Sequence, residues 1–286
     1  MTHEHAIEIL CENIRLFSER TDDAERQRAF CVRQLTERLC SKKESSSLHE
    51  CYEAFRLALE DSRPRDRATF CMTFSERFRS KESFLSTEPV AAGSHGRIAL
   101  VRNRLNEEAY GIFSHVITAA KAHALPSFSD TCEDVFDNRC EFGILPLENT
   151  ADGKLFGFYA MLDRYELRIC AACHLETDRS EGTIRYALIG KNLPSRIPKQ
   201  AEWNFECSVV AELGRFPSDI TEIAPLFGAV LIKIDSLPLL YDDRLQKIYF
   251  TFRIPEHRAE AFHWYLTLEH ARYSMIGIYP VLNALD

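Results

Sequence analysis

At 286 residues, 45% hydrophobic and 27% charged, the chain has the composition of a globular protein of two or three domains. Its net charge of −8 argues against the broad basic face of a nucleic-acid binder, and no run of about 18 uninterrupted apolar residues marks a membrane span. Met1-Thr-His-Glu-His carries no signal-peptide core, so a cytoplasmic location is expected, with neither nucleic acid nor membrane as partner.

Residues 1–85 are expected to form a helical domain. Ile7, Leu10, Ile14 and Phe17 recur at helical spacing, and Asp22-Asp23-Ala-Glu25 opens a second helix with the stripe Phe30, Val32, Leu35 and Leu39. Ser45-Ser-Ser47 breaks the chain and caps a third helix carrying Cys51, Phe55, Leu57 and Leu59. Pro64 then starts a fourth that ends near Phe78. The stretch 86–96 combines Pro89, Gly93 and Gly96 with small residues and reads as a linker.

Residues 96–192 change to an α/β pattern. Strands are expected at 98–101, 127–129, 142–145, 167–172 and 183–189, with helices at 106–124, 132–138 and 154–164. In the first helix Ala109, Ile112, Phe113, Val116 and Ile117 face inward. Strands alternating with helices imply a mostly parallel sheet with crossover helices. Residues 203–286 read as a separate unit with strands at 205–213, 230–236, 247–254 and 274–279 and helices at 218–227 and 258–269, the βαββαβ order of a ferredoxin-like domain. The expected class is therefore a multidomain α+β or α/β chain: a helical domain, a single truncated α/β lobe and a ferredoxin-like module.

The ten cysteines are scattered, without the spacing of a disulfide framework, and read as buried thiols in a reducing compartment. Cys170-Ala-Ala-Cys173-His174 has the spacing of covalent haem attachment, yet it continues a strand from Leu167-Arg-Ile169 and is read the same way. The run Phe142-Gly-Ile-Leu-Pro-Leu-Glu-Asn-Thr150, followed by Asp152-Gly153, is the most informative stretch. It presents Glu148, Asn149 and Thr150 at a strand end, where α/β sheets place ligand-binding groups. Asn and Thr at such a turn also bond their own backbone, so a ligand contact and a loop-fixing role both fit.

This run resembles the signature of prephenate dehydratase. The span from Gly96 to the C-terminus is similar to that enzyme followed by its regulatory ACT domain, through Phe128-Ser-Asp-Thr-Cys-Glu-Asp-Val-Phe136, the signature itself and the strand ending at Ala172. Leu231-Ile-Lys-Ile-Asp-Ser-Leu-Pro238 resembles the family's Glu-Ser-Arg-Pro segment, and Tyr273-Ser-Met-Ile-Gly-Ile-Tyr-Pro280 its last strand. The resemblance implies conversion of prephenate to phenylpyruvate without cofactor or metal, a small aromatic carboxylate (prephenate or an aromatic amino acid) as ligand, and a homodimer. It implies Glu148, Asn149, Thr150 and Arg185 as substrate contacts, and Asp235 and Ser236 as contacts of a regulatory ligand.

Several family features are altered. After Val101 the glycine-rich turn is replaced by Arg102-Asn-Arg-Leu-Asn106, so Arg102 and Arg104 are either substitute carboxylate binders or residues of a solvated loop. The family inserts a second lobe after the strand at 167–172. Here only residues 173–182 intervene, whereas one βαβ unit takes about 30 residues, and half the cleft wall is expected to be missing. The resemblance assigns proton donation to a threonine beside Arg-Phe. Arg185-Tyr186 places Ile184 there, leaving Thr183 as the catalytic candidate if a bulge turns it inward. Arg215-Phe-Pro-Ser218 stands where the ACT glycine turn belongs, and Leu237 replaces the ACT arginine.

Ala24-Glu-Arg26 and Leu57-Ala-Leu-Glu-Asp-Ser62 are similar to parts of the chorismate mutase that precedes some dehydratases. Arg26, Lys42, Lys43 and Ser62 are the candidate contacts there, unless they simply belong to a charged bundle surface. The expectation is a dehydratase-like protein that has lost catalysis and acts in ligand binding or regulation. An active dehydratase and a residual chorismate mutase are the alternatives.

Overall fold

The computed structural model describes residues 3–41, 47–78, 95–117, 119–177, 182–191, 202–239 and 242–282. The chain divides into two compact units, Met1–Ser80 and Lys81–Asp286. The side chains of the 7–17 stripe, Lys42, Lys43 and the linker through Ser94 lie outside the described residues. Among the described residues no helix is long and apolar enough to cross a membrane.

The helical unit holds α1 (His3–Ser41), α2 (Leu48–Ala58) and α3 (Pro64–Arg77). The break expected before Asp22 is absent, and α1 runs unbroken because it contains neither Pro nor Gly. Ser47 caps α2 reciprocally with Glu50, each side chain accepting from the other's backbone N–H. Pro64 opens α3, where its missing N–H is no loss. Val32, Thr36 and Cys40 point inward at four-residue spacing, whereas Phe30 and Leu57, expected in the stripes, are exposed. The interior is a stack of rings: Phe55 lies 4.9 Å from Phe70, and Phe70 lies 6.0 Å from Phe74.

The second unit is a mixed α/β fold built on one sheet. In chain order it contains β1 (Arg97–Val101), α4 (Arg104–Ser114), β2 (Lys121–Leu125), α5 (Phe128–Phe136), β3 (Phe142–Asn149), β4 (Gly153–Lys154), α6 (Phe156–Arg164), β5 (Arg168–Glu176) and β6 (Thr183–Gly190). There follow β7 (Glu202–Glu212), α7 (Ser218–Ile223), β8 (Val230–Leu239), β9 (Asp242–Pro255), α8 (Glu256–Glu269), β10 (Tyr273–Tyr279) and β11 (Val281–Leu282). The long helix expected over 106–124 ends at Ser114, and 121–125 is a strand instead. Residues 127–129 are not a strand, because the Ser127 hydroxyl accepts from the Asp130 N–H at 3.1 Å and caps α5.

The strands run in the order β2-β1-β3-β6-β5-β10-β7-β9-β8. The parallel pairing expected of residues 96–192 holds for β1 with β2 and β3, but β6 is antiparallel to both β3 and β5. Residues 177–182 are too few for a crossover, so β5 and β6 become antiparallel neighbours. β5 then pairs in parallel with β10 at Ile169 and Gly277, which carries the sheet into the C-terminal strands. Glycine is required at 277, since a Cβ there would lie 2.5 Å from the Ile169 carbonyl oxygen. Beyond this seam β10, β7, β9 and β8 are antiparallel throughout, and Phe262 of α8 packs on Phe205, Phe227 and Phe252.

Six strand spacings separate β3 from β8 along the sheet, about 29 Å if it were flat. Lys233 of β8 nevertheless forms an ion pair with Glu148 of β3, so the sheet curls towards itself.

Candidate functional site

The curled sheet encloses a cleft of about 240 Å³ lined by Glu148, Asn149, Thr150, His174, Thr183, Arg185, Asn204, Ile232, Lys233 and Thr251. Two rows of directly opposed residues form its sides. Glu148, Arg185 and His174 cross β3, β6 and β5, while Lys233 and Thr251 cross β8 and β9, their row continuing on β7 into Glu206 beneath the cleft. Opposed residues on paired strands share a face, so each row presents all its side chains together. Each row depends on a bulge. The register skips a residue between Pro146 and Glu148, and again between Leu231 and Lys233, turning Glu148 and Lys233 towards each other.

Beneath the cleft lies a buried charged cluster. Glu206 is fully buried and bonded to Lys154, which also donates to the Tyr159 hydroxyl at 3.0 Å. Arg185 donates to the Tyr279 hydroxyl at 3.0 Å and to the Tyr159 hydroxyl at 2.6 Å. Tyr159 and Tyr279 in turn donate to Glu206 at 2.8 and 2.6 Å. Burial alone would raise the Glu206 carboxyl, but Lys154 and Arg185 reverse that and hold it at about 2. Burial pushes both phenols well above their ordinary range, so they remain neutral donors. Arg185 stays charged despite its burial because the two phenol oxygens and Glu206 surround it. Its Nε is buried without a hydrogen-bond partner among the described residues.

The residues expected from the sequence divide three ways. Glu148, Asn149, Thr150, Thr183 and Arg185 all line the cleft. Asn149 and Thr150 also fix the local backbone. Asn149 bonds Asp152 through both ends of its amide, and the Thr150 hydroxyl accepts from the Thr183 N–H at 3.1 Å. Gly182 makes this possible, since with φ of +101° a Cβ there would lie 1.6 Å from the Thr150 hydroxyl oxygen. Thr183 and Arg185 are two apart on β6 and face the same side, which is how Thr183 reaches the cleft without a bulge in its own strand.

Arg102 and Arg104 are exposed and do not line the cleft. The turn they occupy closes on itself through the Asn103 cap and through the Asn106 amide, which donates to the Val101 carbonyl at 2.7 Å, while Arg104 pairs with Glu108. Asp235, expected as a regulatory contact, lies 3.5 Å from Lys233 and 3.8 Å from Lys154, while Ser236 is exposed. In the helical unit Arg26 is exposed and Ser62 buried.

Sequence reasoning missed Lys154, Tyr159, His174, Glu206, Lys233 and Tyr279 as members of the site. Partial burial of the His174 ring, together with Arg185, holds its pKa below the usual value, so its imidazole is neutral at pH 7. Elsewhere, His123, Asp134 and Cys140 bring ligand-capable atoms within 4.8 Å of one another. Arg139 donates to Asp134 at 2.6 Å and Arg97 approaches His123 Nδ1 at 3.3 Å, so guanidinium groups already engage these side chains. Cys170 and Cys173 are buried in β5.

No protein-family model matches the sequence, and no curated protein does. Solved structures do match. The chain resembles prephenate dehydratase from Streptococcus mutans at 18% identity and a TM-score of 0.53, over 65% of this chain and 98% of that one. It resembles GqqA, described as a novel type of quorum-quenching acylase, at 15% identity and a TM-score of 0.50, over 65% of this chain and 96% of that one. A prephenate dehydratase from Arthrobacter aurescens solved in complex with L-Phe matches at 12% identity and a TM-score of 0.46, over 64% of this chain and 89% of that one. The first of these likenesses shows a prephenate-dehydratase-like fold.

Proposed function

We propose that this chain is a reduced relative of prephenate dehydratase that binds a small aromatic carboxylate in the cleft and has lost the dehydration step. Charge balance carries this reading. Prephenate is a dianion, and a site that activates it needs cations that are not already matched. Here Arg185, Lys154 and Lys233 are matched by Glu148, Glu206 and Asp235. Such a site suits a zwitterionic aromatic amino acid whose ammonium group meets Glu148 and Asp235, or a single carboxylate that displaces one of these acidic partners from its cation.

In this reading residues 96–192 are the dehydratase-like lobe, residues 203–286 an ACT-like module and residues 1–85 a helical domain. The antiparallel order β10-β7-β9-β8, with α7 following β7 and α8 following β9, supports the ACT assignment. Asn204, Lys233 and Thr251 then supply the wall that the missing lobe provides elsewhere. Exposed Val230 and Ile234 on the edge strand β8 support a homodimer, which sedimentation would detect.

Purified protein should consume no prephenate, followed by phenylpyruvate absorbance, while phenylpyruvate or phenylalanine should bind in a calorimetric titration. Steady turnover that disappears in Thr183→Ala would overturn the loss of catalysis. One observation favours that second reading, an active dehydratase: Thr183 lines the cleft on the same strand face as Arg185. A residual chorismate mutase has less support, because Arg28 and Arg63 pair with Asp66 and Glu25 above an interior of phenyl rings.

A further inference from the structure

A carboxylate entering this cleft needs a cation it can reach, and burial separates the three. The Lys154 side chain is 1% exposed and is held by Glu206 and Tyr159. The Arg185 side chain is 8% exposed, and both its terminal nitrogens already donate to phenol oxygens. The Lys233 side chain is 34% exposed and lines the cleft from the edge strand.

Lys233 is also the cation that can change partners at least cost. It pairs with Glu148 and Asp235, and each of these has a second cation nearby. Glu148 Oε2 lies 3.4 Å from Arg185, and Asp235 Oδ2 lies 3.8 Å from Lys154. Withdrawing Lys233 therefore leaves Glu148 beside Arg185, while Asp235, whose Oδ2 is already without a hydrogen-bond partner among the described residues, keeps the longer ion pair with Lys154. The bulge that aims Lys233 inward also places apolar Ile232 in the cleft lining, beside the position a ligand ring would take.

We propose that Lys233 anchors the ligand's carboxylate and that Glu148 competes for it, so this ion pair is a latch that sets the affinity of the cleft. The inference rests on the reading of the cleft as an aromatic-carboxylate site and names the residues that govern it.

Calorimetric titration of the full chain with phenylpyruvate, and with uncharged phenylacetamide as a control probe, tests it. Lys233→Met should weaken phenylpyruvate binding roughly 10- to 100-fold, the worth of one hydrogen bond to a charged group, and leave phenylacetamide unmoved. Lys233→Arg should restore most of the affinity. Glu148→Gln should tighten phenylpyruvate binding several-fold. If wild type and Lys233→Met bind phenylpyruvate equally, or if Glu148→Gln loosens it as much as Lys233→Met does, the latch is overturned and the aromatic-carboxylate reading stands. If none of the four proteins binds phenylpyruvate while circular dichroism shows each folded, both are overturned.

Discussion

The two units handle charge in opposite ways. In the helical unit the ion pairs ring the outside: Arg28 with Asp66 and Arg63 with Glu25 each keep at least one partner in contact with water, and the interior beneath them is aromatic. In the sheet unit Lys154, Arg185 and Glu206 are sealed inside, with Tyr159 and Tyr279 as their solvent. The first arrangement is what stability alone favours. The second is expensive to assemble, because desolvating charges offsets most of their attraction, and such clusters concentrate where a protein binds or reacts.

The sharpest way to break this contrast is Glu206→Ala, which leaves two buried cations without their counter-ion. It should cost about 3–5 kcal/mol in urea unfolding, and a loss below about 1 kcal/mol would mean the cluster is neither dry nor charged as described. Phe70→Ala is the counterpart in the helical unit and should cost about 3–5 kcal/mol through lost packing, with faster amide exchange concentrated in residues 48–77.

Acid sharpens the contrast further. His263 is held at about 4 by burial and by Arg168, below its ordinary 6.5, so its contribution is complete above pH 6.5 and fades as the pH falls through 4. Glu206, held at about 2 against an ordinary 4.5, contributes fully above pH 4.5 and fades as the pH falls through 2. Near-ultraviolet circular dichroism should therefore register two successive acid losses, the first around the His263–Tyr273 hydrogen bond and the second in the cluster. Least affected should be Arg65→Ala, which removes only an exposed pair with Glu25 and should leave the thermal midpoint of the helical unit unmoved.

Much of the scaffold was legible in the sequence. The caps at Ser47 and Pro64 and the apolar strands β1, β3, β5 and β6 follow from local rules, as does the strand and helix order after residue 202. The cluster was not, and Glu206 explains why. In Phe205-Glu206-Cys207-Ser208-Val209 the alternation marks Glu206 and Ser208 for solvent, yet β7 lies between β10 and β9 and both residues are fully buried. A strand covered on both faces makes alternation a poor guide to exposure. Lys154 and Tyr159 lie five residues apart, but Arg185, Glu206 and Tyr279 join them from distant points of the chain, and only the sheet brings these together. Lys233 escaped notice because it depends on a bulge, a one-residue slip that no apolar period announces.

The contact at Gly277 has a mechanical consequence. Ile169 and Gly277 sit so close that not even one extra carbon fits between them, and the β5–β10 ladder joins the two halves of the sheet. Any side chain placed at 277 must therefore push these two strands apart and loosen the join between the two halves of the sheet.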